Sequence, residues 1–291
     1  METIYTLEWM KQSARAARAE GRIVGLVPTM GALHEGHLSL VRAAQRECSP
    51  VVVSIFVNPT QFGVGEDFTK YPRPIEQDRA LLEELNVDCL FAPTAEEIYP
   101  DGFRTHVEVG GLGERFEGRV RPGHFRGVAT VVLKLFEIVQ PSFAYFGRKD
   151  AQQARIVRQM ARDLNLDTEI VVCPIVREAD GLAMSSRNAY LAADDRRRAT
   201  VLHRALDAAR TEILSGERDA ARLLGRMREV LKSEPAAAPD YVEIVDADTF
   251  EPVTLLRREC LVLMAVRLGG MRLLDNMRIE ERGSGGFDAT L

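Results

Sequence analysis

Two histidines with a spacing of three are the first feature of this sequence that could carry out chemistry. His34 and His37 lie in the segment PTMGALHEGH, residues 28–37, directly after a short apolar run. A helix that begins here would offer free backbone N–H groups and a positive dipole end to an anion. Gly31 and Gly36 allow the backbone to come close to such a ligand. The segment therefore predicts a binding site for a phosphate group.

Two other interpretations of this histidine pair stay open. The His-x2-His spacing also occurs in zinc sites, although no third ligand is evident near it in the sequence. Alternatively, both histidines pack in the core of the protein and have no chemical role.

Cationic and hydroxyl side chains follow other predicted strands. Lys149 comes after the apolar run 143–146, where its ammonium group can meet phosphate oxygens. Asp150 either caps the helix that follows or holds a ligand hydroxyl. The segment MSSR, residues 184–187, brings two hydroxyls and a guanidinium into a glycine-containing stretch that breaks secondary structure. A solvated lysine and a polar interdomain turn are the plainer alternatives for these segments.

Two glutamines and a basic cluster complete the candidate set. Gln61 and Gln153 follow separate strands, and each amide can donate and accept hydrogen bonds. Such amides suit a substrate with both a hydroxyl and a carboxylate, whereas isolated glutamines are unremarkable on a surface. Arg121, His124 and Arg126 cluster at a helix start, a pattern that also fits helix capping and surface ion pairing.

The composition indicates an ordinary globular protein of one large or two modest domains. The chain has 291 residues, 46% of them hydrophobic, and a formal net charge of −5. No apolar run approaches the ~18 residues of a membrane span, and the acidic balance argues against a broad nucleic-acid footprint. The first residues lack the apolar stretch of a signal peptide. Four scattered cysteines without a CxxC pair predict buried thiols in a reducing, cytoplasmic setting.

Alternating strands and helices in the first part of the chain predict an α/β fold. The expected architecture is a Rossmann-like parallel sheet with helices on both faces. The predicted strands are 23–27, 51–57, 88–92, 106–109, 143–146 and 169–173. The predicted helices run from Thr6 to Gly21 and over 36–48, 77–85, 123–139 and 150–164.

The pattern changes after about residue 190 to helices followed by strands, which places a domain boundary near 176–190. Helices are predicted over 194–214 and 218–231, then a linker over 233–240, then strands over 241–245, 260–268 and 271–275. We therefore expect three parts: a Rossmann-like domain over 1–180, a smaller C-terminal α+β domain over 181–282, and a disordered glycine-rich tail over 283–291.

Several segments resemble a known enzyme family. His34-Glu35-Gly36-His37 resembles the HxGH motif of the nucleotidyltransferase superfamily, and the longer string PTMGALHEGHLSLV resembles the N-terminal signature of the pantothenate synthetases. Segments that resemble the same family follow in consistent order: FVNPTQF, YPR, RPGHFRGVAT, FGRKD and VREADGLAMSSRN. The resemblance extends from about residue 3 to about residue 281.

The resemblance implies a ligase that condenses (R)-pantoate with β-alanine to give pantothenate. ATP first converts pantoate to pantoyl adenylate with release of pyrophosphate, and β-alanine then displaces AMP. The resemblance also implies Mg²⁺ with the nucleotide, a homodimer, and a domain over 181–282 that closes as a lid over the labile intermediate. No nucleic-acid or membrane partner is expected.

The resemblance further assigns roles to individual residues. His34, His37, Lys149 and Arg187 are the implied catalytic residues, with His37 as a proton donor. The implied ATP site comprises Met30, Gly31, Ala32, Leu33, His34, Glu35, Gly36, His37, Gly147, Arg148, Lys149, Asp150, Val176, Met184, Ser185, Ser186 and Arg187. The implied substrate site comprises Met30, Asn58, Gln61, Phe62, Arg121 and Gln153.

Two of these assignments carry an alternative. Asp78 is the implied metal ligand, but it also fits a carboxylate on a helix surface. Arg148 departs from the family, which often has an acidic or amide residue there. Its guanidinium either alters nucleotide affinity or points to solvent.

Other functions share part of this pattern. A nucleotidyltransferase that acts on a phosphate acceptor would use the HxGH segment, but it would not account for Gln61, Gln153 or a second domain. A tRNA-charging enzyme would need an anticodon-binding module, which the sequence does not suggest. A nucleotide-binding sensor would not need the intact set of His34, His37, Lys149 and Arg187.

Overall fold

The structure is a computed structural model that describes residues 1–63, 65–283 and 286–291. The chain divides into two compact units, Met1–Pro174 and Ile175–Leu291. The division precedes the predicted boundary at 180 because the segment after Ile175 is tied into the second unit. Arg177 forms a β-bridge with Ala183, and its guanidinium donates to both carboxylate oxygens of Asp275.

A parallel sheet forms the centre of the first unit. Among the described residues it has six strands in the order β1-β4-β3-β2-β5-β6. The strands are β1 (Glu2–Ile4), β2 (Gly25–Thr29), β3 (Val51–Ile55), β4 (Cys89–Phe91), β5 (Phe143–Gly147) and β6 (Glu169–Cys173). Val51, Val52 and Val53 are all buried, as expected for a strand covered on both faces.

Helices pack on both faces of this sheet. They are α1 (Leu7–Ala19), α2 (Glu35–Ala44), α3 (Ile75–Glu84), α4 (Ala95–Ile98), α5 (Glu117–Val120), α6 (His124–Val139) and α7 (Ala151–Asp163). On one face Leu26 and Val52 pack in a cluster with Val128 of α6. On the other face Val27 clusters with Val41 of α2. The predicted Rossmann-like architecture is confirmed.

The second unit has helices followed by an antiparallel sheet, so the predicted α+β class is also confirmed. Its helices are α8 (Ala193–Arg198), α9 (Val201–Leu214) and α10 (Ala220–Lys232). Its strands, in the spatial order β10-β9-β8-β7, are β7 (Ala238–Asp246), β8 (Glu259–Leu268), β9 (Met271–Glu281) and β10 (Phe287–Thr290).

Three local predictions were wrong. Residues 106–109 form no strand; instead the Val107 N–H donates to Thr130 Oγ1 of α6 at 2.9 Å. The helix predicted over 194–214 is two helices, with a turn at which Thr200 Oγ1 donates to the Arg197 carbonyl. The tail predicted as disordered contains β10, which pairs with β9. Within that tail, Ser284 and Gly285 lie outside the described residues.

The cysteines behave as the sequence predicts. All four are free thiols and all are buried, in the cores of the two units: Cys48, Cys89, Cys173 and Cys260. No helix in the described part of the chain is long and apolar enough to cross a bilayer.

Candidate active site

The HxGH segment forms the crossing from β2 to α2, at the carboxyl end of a central strand. β2 ends at Thr29 and α2 begins at Glu35, with His34 as its N-cap residue. Gly31 has a φ of +81°, and a Cβ atom there would lie 2.9 Å from an oxygen of Asp78. Glycine is therefore required at this position, both for the backbone conformation and for the space.

Asp78 fixes the backbone of this crossing. Its Oδ2 accepts the N–H of Ala32 at 2.8 Å, and its Oδ1 accepts the N–H of Leu33 at 2.7 Å. The side chain is buried rather than on a helix surface, and burial raises the pKa of its carboxyl group. The described residues hold no group of three or more His, Cys, Asp or Glu that could bind a metal ion. The geometry thus gives Asp78 a structural task in the loop.

Backbone hydrogen bonds define the tautomers of the two histidines. The Gly36 N–H donates to His34 Nδ1 at 3.1 Å, and the His34 N–H donates to His37 Nδ1 at 3.4 Å. An N–H group can only donate, so each Nδ1 is an acceptor and the proton of each neutral ring lies on Nε2. The ring centroids are 4.1 Å apart. The pair therefore presents two N–H donors from one small region.

The surroundings keep His37 neutral. Burial, the neighbouring His34 and Lys149 lower the pKa of His37 to about 3, while Asp150 opposes the shift. Lys149 and Asp150 follow β5, and the Lys149 ammonium lies 3.3 Å from Asp150 Oδ1. The ends of β2 and β5 thus bring two neutral donors and one cation together, an arrangement that suits a polyphosphate.

The amide of Gln61 lies beside the same loop. Gln61 Nε2 donates to Met30 Sδ at 3.0 Å, and Gln61 Oε1 accepts from Asn58 Nδ2 at 3.1 Å. Asn58 is almost wholly buried, and its amide also bonds the Gly127 carbonyl, the Thr60 N–H and the Tyr99 hydroxyl. Asn58 therefore positions Gln61, and its own amide has no donor left for a substrate.

A pair of side chains, the His124 imidazole and the Arg121 guanidinium, holds the backbone of Gln61. His124 Nδ1 donates to the Gln61 carbonyl at 2.9 Å, and Arg121 donates to the same oxygen at 3.4 Å. The Arg121 guanidinium also contacts His124 Nε2 and forms a two-point ion pair with Glu66. Arg121 and His124 of the predicted basic cluster therefore lie beside Gln61, with the guanidinium of Arg121 engaged by protein groups, whereas the third member, Arg126, is exposed.

The protonation of His124 should make stability depend on pH. Burial and the nearby Arg121 charge lower the pKa of His124 to about 4. Between pH 6.5 and 4 the unfolded chain binds this proton more readily than the folded chain, so the contribution to stability falls as pH falls. The expected loss over that range is up to about 3 kcal/mol in the free energy of unfolding.

Urea unfolding at several pH values measures this effect. The free-energy difference between wild type and His124→Asn should shrink as pH falls from 7 to 4, since the amide can still donate to the Gln61 carbonyl. His106→Asn, at an exposed histidine, controls for the loss of an imidazole. A difference for His124→Asn that does not change with pH would contradict the assignment.

The remaining predicted residues of the first unit have varied surroundings. Phe62 packs edge-on against Phe68 and Tyr71, with ring centroids 5.3 and 6.0 Å away. Gln153 lies half-buried near the start of α7. The Glu35 carboxylate is exposed and pairs with Arg42, so only its backbone remains for a nucleotide. Arg148 is buried, which excludes the solvent-pointing alternative.

The predicted nucleotide residues of the second unit lie on one anchored hairpin. The Met184 N–H donates to the Val176 carbonyl at 3.0 Å, and Ser185 Oγ accepts the Arg187 N–H at 3.3 Å. Asp275 receives the Arg177 guanidinium at 2.8 and 2.9 Å, and both side chains are largely buried. This ion pair fixes the start of the hairpin that leads to Ser186 and Arg187.

Sequence reasoning missed Tyr99 and Gly127 as contributors to the site, and it named Asp78 without foreseeing its contact with the loop. Nothing local indicates that Asp78 reaches the Ala32–Leu33 backbone or that Tyr99 reaches Asn58, because both contacts join distant parts of the chain. Gly127 gave a usable signal, since an isolated glycine inside an apolar helix often marks a close packing contact. A Cβ atom there would lie 2.3 Å from the Thr60 carbonyl oxygen.

The fold and the site define a nucleotide-binding α/β enzyme with an HxGH crossing. Comparison with known proteins makes this specific: the family model for pantoate-beta-alanine ligase matches residues 2–278. The chain belongs to the pantoate-β-alanine ligase family, and it is therefore an ATP-dependent ligase.

Individual relatives agree over nearly the whole chain. A pantothenate synthetase of Heliobacterium modesticaldum is 57% identical over 94% of this chain and 95% of its own length. The crystal structure of the enzyme from Thermus thermophilus matches with a TM-score of 0.91 and 49% identity, covering 95% of this chain and 98% of that one.

A solved complex extends the comparison to ligands. The pantoate-beta-alanine ligase of Francisella tularensis, described as complexed with beta-gamma ATP and beta-alanine, matches with a TM-score of 0.76 and 35% identity. It covers 95% of this chain and 97% of that one.

Proposed function

We propose that this protein condenses (R)-pantoate with β-alanine, using ATP and forming pantoyl adenylate as the intermediate. The observation that carries the proposal is that the loop between β2 and α2 lies between the Gln61 amide and the Lys149 ammonium group. The crossing that contains Met30 and His37 contacts the Gln61 amide at one end and lies close to Lys149 at the other. A hydroxy acid held by the amide would thus lie next to the phosphates of a nucleotide held by the histidines and lysine.

The first half-reaction is attack of the pantoate carboxylate on the α-phosphorus of ATP. One carboxylate oxygen forms the new P–O bond, and the bond to the pyrophosphate oxygen breaks. No protein nucleophile is needed, so the protein contributes positioning and stabilisation of the growing negative charge. We assign this to the Nε2–H groups of His34 and His37 and to Lys149. For Ser185, Ser186 and Arg187 the same role is proposed on the family resemblance alone.

The second half-reaction is attack of the β-alanine amine on the acyl carbon of pantoyl adenylate. The new C–N bond forms, the C–O bond to AMP breaks with its electron pair leaving on the phosphate oxygen, and the amine proton passes to solvent water. His37 is a neutral donor in the ligand-free protein, so it can hydrogen-bond the phosphate of AMP as that group departs. The backbones of Gly147 and Val176 are proposed to frame the nucleoside, and Met30 and Phe62 the gem-dimethyl carbon of pantoate.

The site does not fit a magnesium ion held by protein carboxylates. Asp78 uses both oxygens on backbone N–H groups, and its carboxylate has no acidic cluster around it among the described residues. We therefore propose that Mg²⁺ enters together with ATP, with phosphate oxygens and water as its ligands.

The homodimer, the cytoplasmic location and the closing of the second unit as a lid also remain proposals. The four buried free thiols support the cytoplasmic location.

An AMP-release assay tests the function directly. The purified protein is supplied with ATP and Mg²⁺, with pantoate, with β-alanine, or with both. We expect AMP and pantothenate only when both substrates are present, because the adenylate stays on the enzyme until an amine attacks it. A parallel preparation of His37→Ala controls for contaminating activity.

Two outcomes would overturn the proposal. Turnover with phosphopantetheine in place of pantoate and β-alanine would instead indicate a nucleotidyltransferase. ATP binding without any turnover, in the presence of both substrates, would indicate a nucleotide-binding sensor.

A further inference from the structure

The direction of the Asn58 amide is dictated by the backbone around it. The Thr60 N–H can only donate, and it lies 3.3 Å from Asn58 Oδ1. The Gly127 carbonyl can only accept, and it lies 3.1 Å from Asn58 Nδ2. The amide oxygen and nitrogen therefore cannot be exchanged without losing both hydrogen bonds.

This direction fixes the direction of Gln61 in turn. Asn58 Nδ2 is a donor, so the atom of Gln61 that it meets at 3.1 Å is the oxygen. Gln61 Nε2 is left facing Met30 Sδ, which is only a weak acceptor. Gln61 is thus set to offer N–H groups to a substrate that supplies an oxygen acceptor.

Tyr99 is the remote end of this chain of hydrogen bonds. Its hydroxyl donates to Asn58 Oδ1 at 2.9 Å and lies 3.2 Å from Thr60 Oγ1. Burial raises the pKa of the Tyr99 hydroxyl, so it stays a proton donor near neutral pH. The ring lies against Phe103, with centroids 5.0 Å apart, and below the Lys134 ammonium.

We propose that Tyr99 is a positioning residue for pantoate: it holds the Asn58 amide in place, and through Asn58 it holds the Gln61 amide in the position from which it meets the substrate, while the backbone sets the direction of both amides. The Tyr99 hydroxyl donates to Asn58 Oδ1 and also lies 3.2 Å from Thr60 Oγ1, which itself donates to Asn58 Oδ1 at 2.9 Å. Both side-chain contacts of the hydroxyl therefore lead to Asn58, and Asn58 donates to the Gln61 amide oxygen. The inference rests on the proposed function, because it takes the ligand of Gln61 to be the hydroxy acid.

Steady-state kinetics of Tyr99→Phe tests the proposal. Loss of one hydrogen bond to a buried amide typically costs enough for about a 3- to 10-fold change. We expect the KM for pantoate to rise by that factor, with the KM for ATP unchanged and kcat within about 2-fold. A loss of folded protein alone would instead lower kcat and leave both KM values as they are.

Tyr145→Phe is the matched control. Tyr145 is a buried tyrosine whose hydroxyl contacts Cys48 and Glu47 at 3.4 and 3.2 Å. It belongs to the core cluster on the α2 face of the parallel sheet. Removing its hydroxyl disturbs a buried core to a similar degree without touching Asn58. We expect the KM for pantoate to be that of the wild type.

A double-mutant cycle that combines Tyr99→Phe with Asn58→Ala tests whether Tyr99 acts through Asn58. If Tyr99 acts through Asn58, Tyr99→Phe adds nothing further to the KM for pantoate once Asn58 is alanine. Additive effects, or an unchanged KM in Tyr99→Phe, would overturn the proposal. Gln61→Leu distinguishes a failure of the Tyr99 proposal from a failure of the proposed function. An unchanged KM for pantoate in Gln61→Leu would show that Gln61 is not in the substrate site.

Discussion

His37→Ala is expected to lower kcat by about 10²–10³-fold, with the fold of the protein intact. Removal of one donor to a developing negative charge typically has an effect of this size. The donor here is a neutral imidazole, because burial, His34 and Lys149 lower the pKa of His37 to about 3. The measurement is initial-rate AMP release at saturating ATP, pantoate and β-alanine.

His37→Gln is the informative companion variant. A glutamine amide is a neutral N–H donor, so we expect it to recover part of the activity that alanine loses. The pH profile of kcat/KM in the wild type, which reports groups of the free enzyme, should show no inflection from His37 between pH 5 and 8. Equal losses in Gln and Ala variants, together with an inflection near pH 6.5 that both remove, would show that an imidazolium is required.

Gly127→Ala is expected to lower kcat/KM for pantoate by at least about 10²-fold. The new Cβ atom would lie 2.3 Å from the Thr60 carbonyl oxygen and 2.7 Å from Gln61 Cα. These are steric clashes with backbone atoms, so either α6 or the backbone of Thr60 and Gln61 must move. A displacement of about 1 Å at a substrate-positioning group can cost a rate factor of that order. The Gly127 carbonyl also accepts from Asn58, so a shift of α6 would disturb Asn58, which donates to the Gln61 amide oxygen, as well as Gln61 itself.

Gly225→Ala is the matched control, since it is also a glycine inside a helix. Nothing lies within 4 Å of a Cβ atom there. We expect unchanged kinetics and a gain of about 0.5–1 kcal/mol in the free energy of unfolding, because alanine favours the helix. Both variants are compared by pantoate saturation curves and by thermal unfolding. Wild-type kinetics in Gly127→Ala would mean that the approach of α6 to Gln61 has no functional importance.

Much of the architecture could be predicted because its signals are local. The Val51–Ile55 strand is an almost wholly apolar run, and the glycine and histidine positions of the HxGH crossing follow directly after the apolar run of β2. The strand predicted over residues 106–109 was wrong because its formation does not depend on local signals alone. The alternation of polar and apolar residues there is typical of a strand, but a strand also needs a partner strand. The Val107 N–H instead donates to Thr130 of α6. Whether a partner strand exists is not a local property of the sequence.

In the candidate site, too, some residues could be placed from the sequence, whereas the contacts they form could not be foreseen. Gln61 and Lys149 could be placed at one edge of the sheet, since both follow strands of a parallel sheet. Asp78 could not be assigned correctly, because a first-turn carboxylate of α3 looks the same in sequence whether it binds solvent, a metal ion or the backbone of Ala32. Arg121 and Asn58 were placed in the right region, but their bonding partners were not foreseeable.

By itself, the sequence determined the family, most of the order of strands and helices, and the residue types that we propose face a nucleotide and a hydroxy acid. Those properties depend on local hydrophobic patterns and on motifs of a few residues. The tertiary structure alone decided which hydrogen bonds those residues form: the neutral tautomers of the two histidines, the direction of Gln61, and the reach of Tyr99 to Asn58. Hydrogen bonds between distant segments depend on positions set by the packing of the whole unit, which no short stretch of sequence encodes.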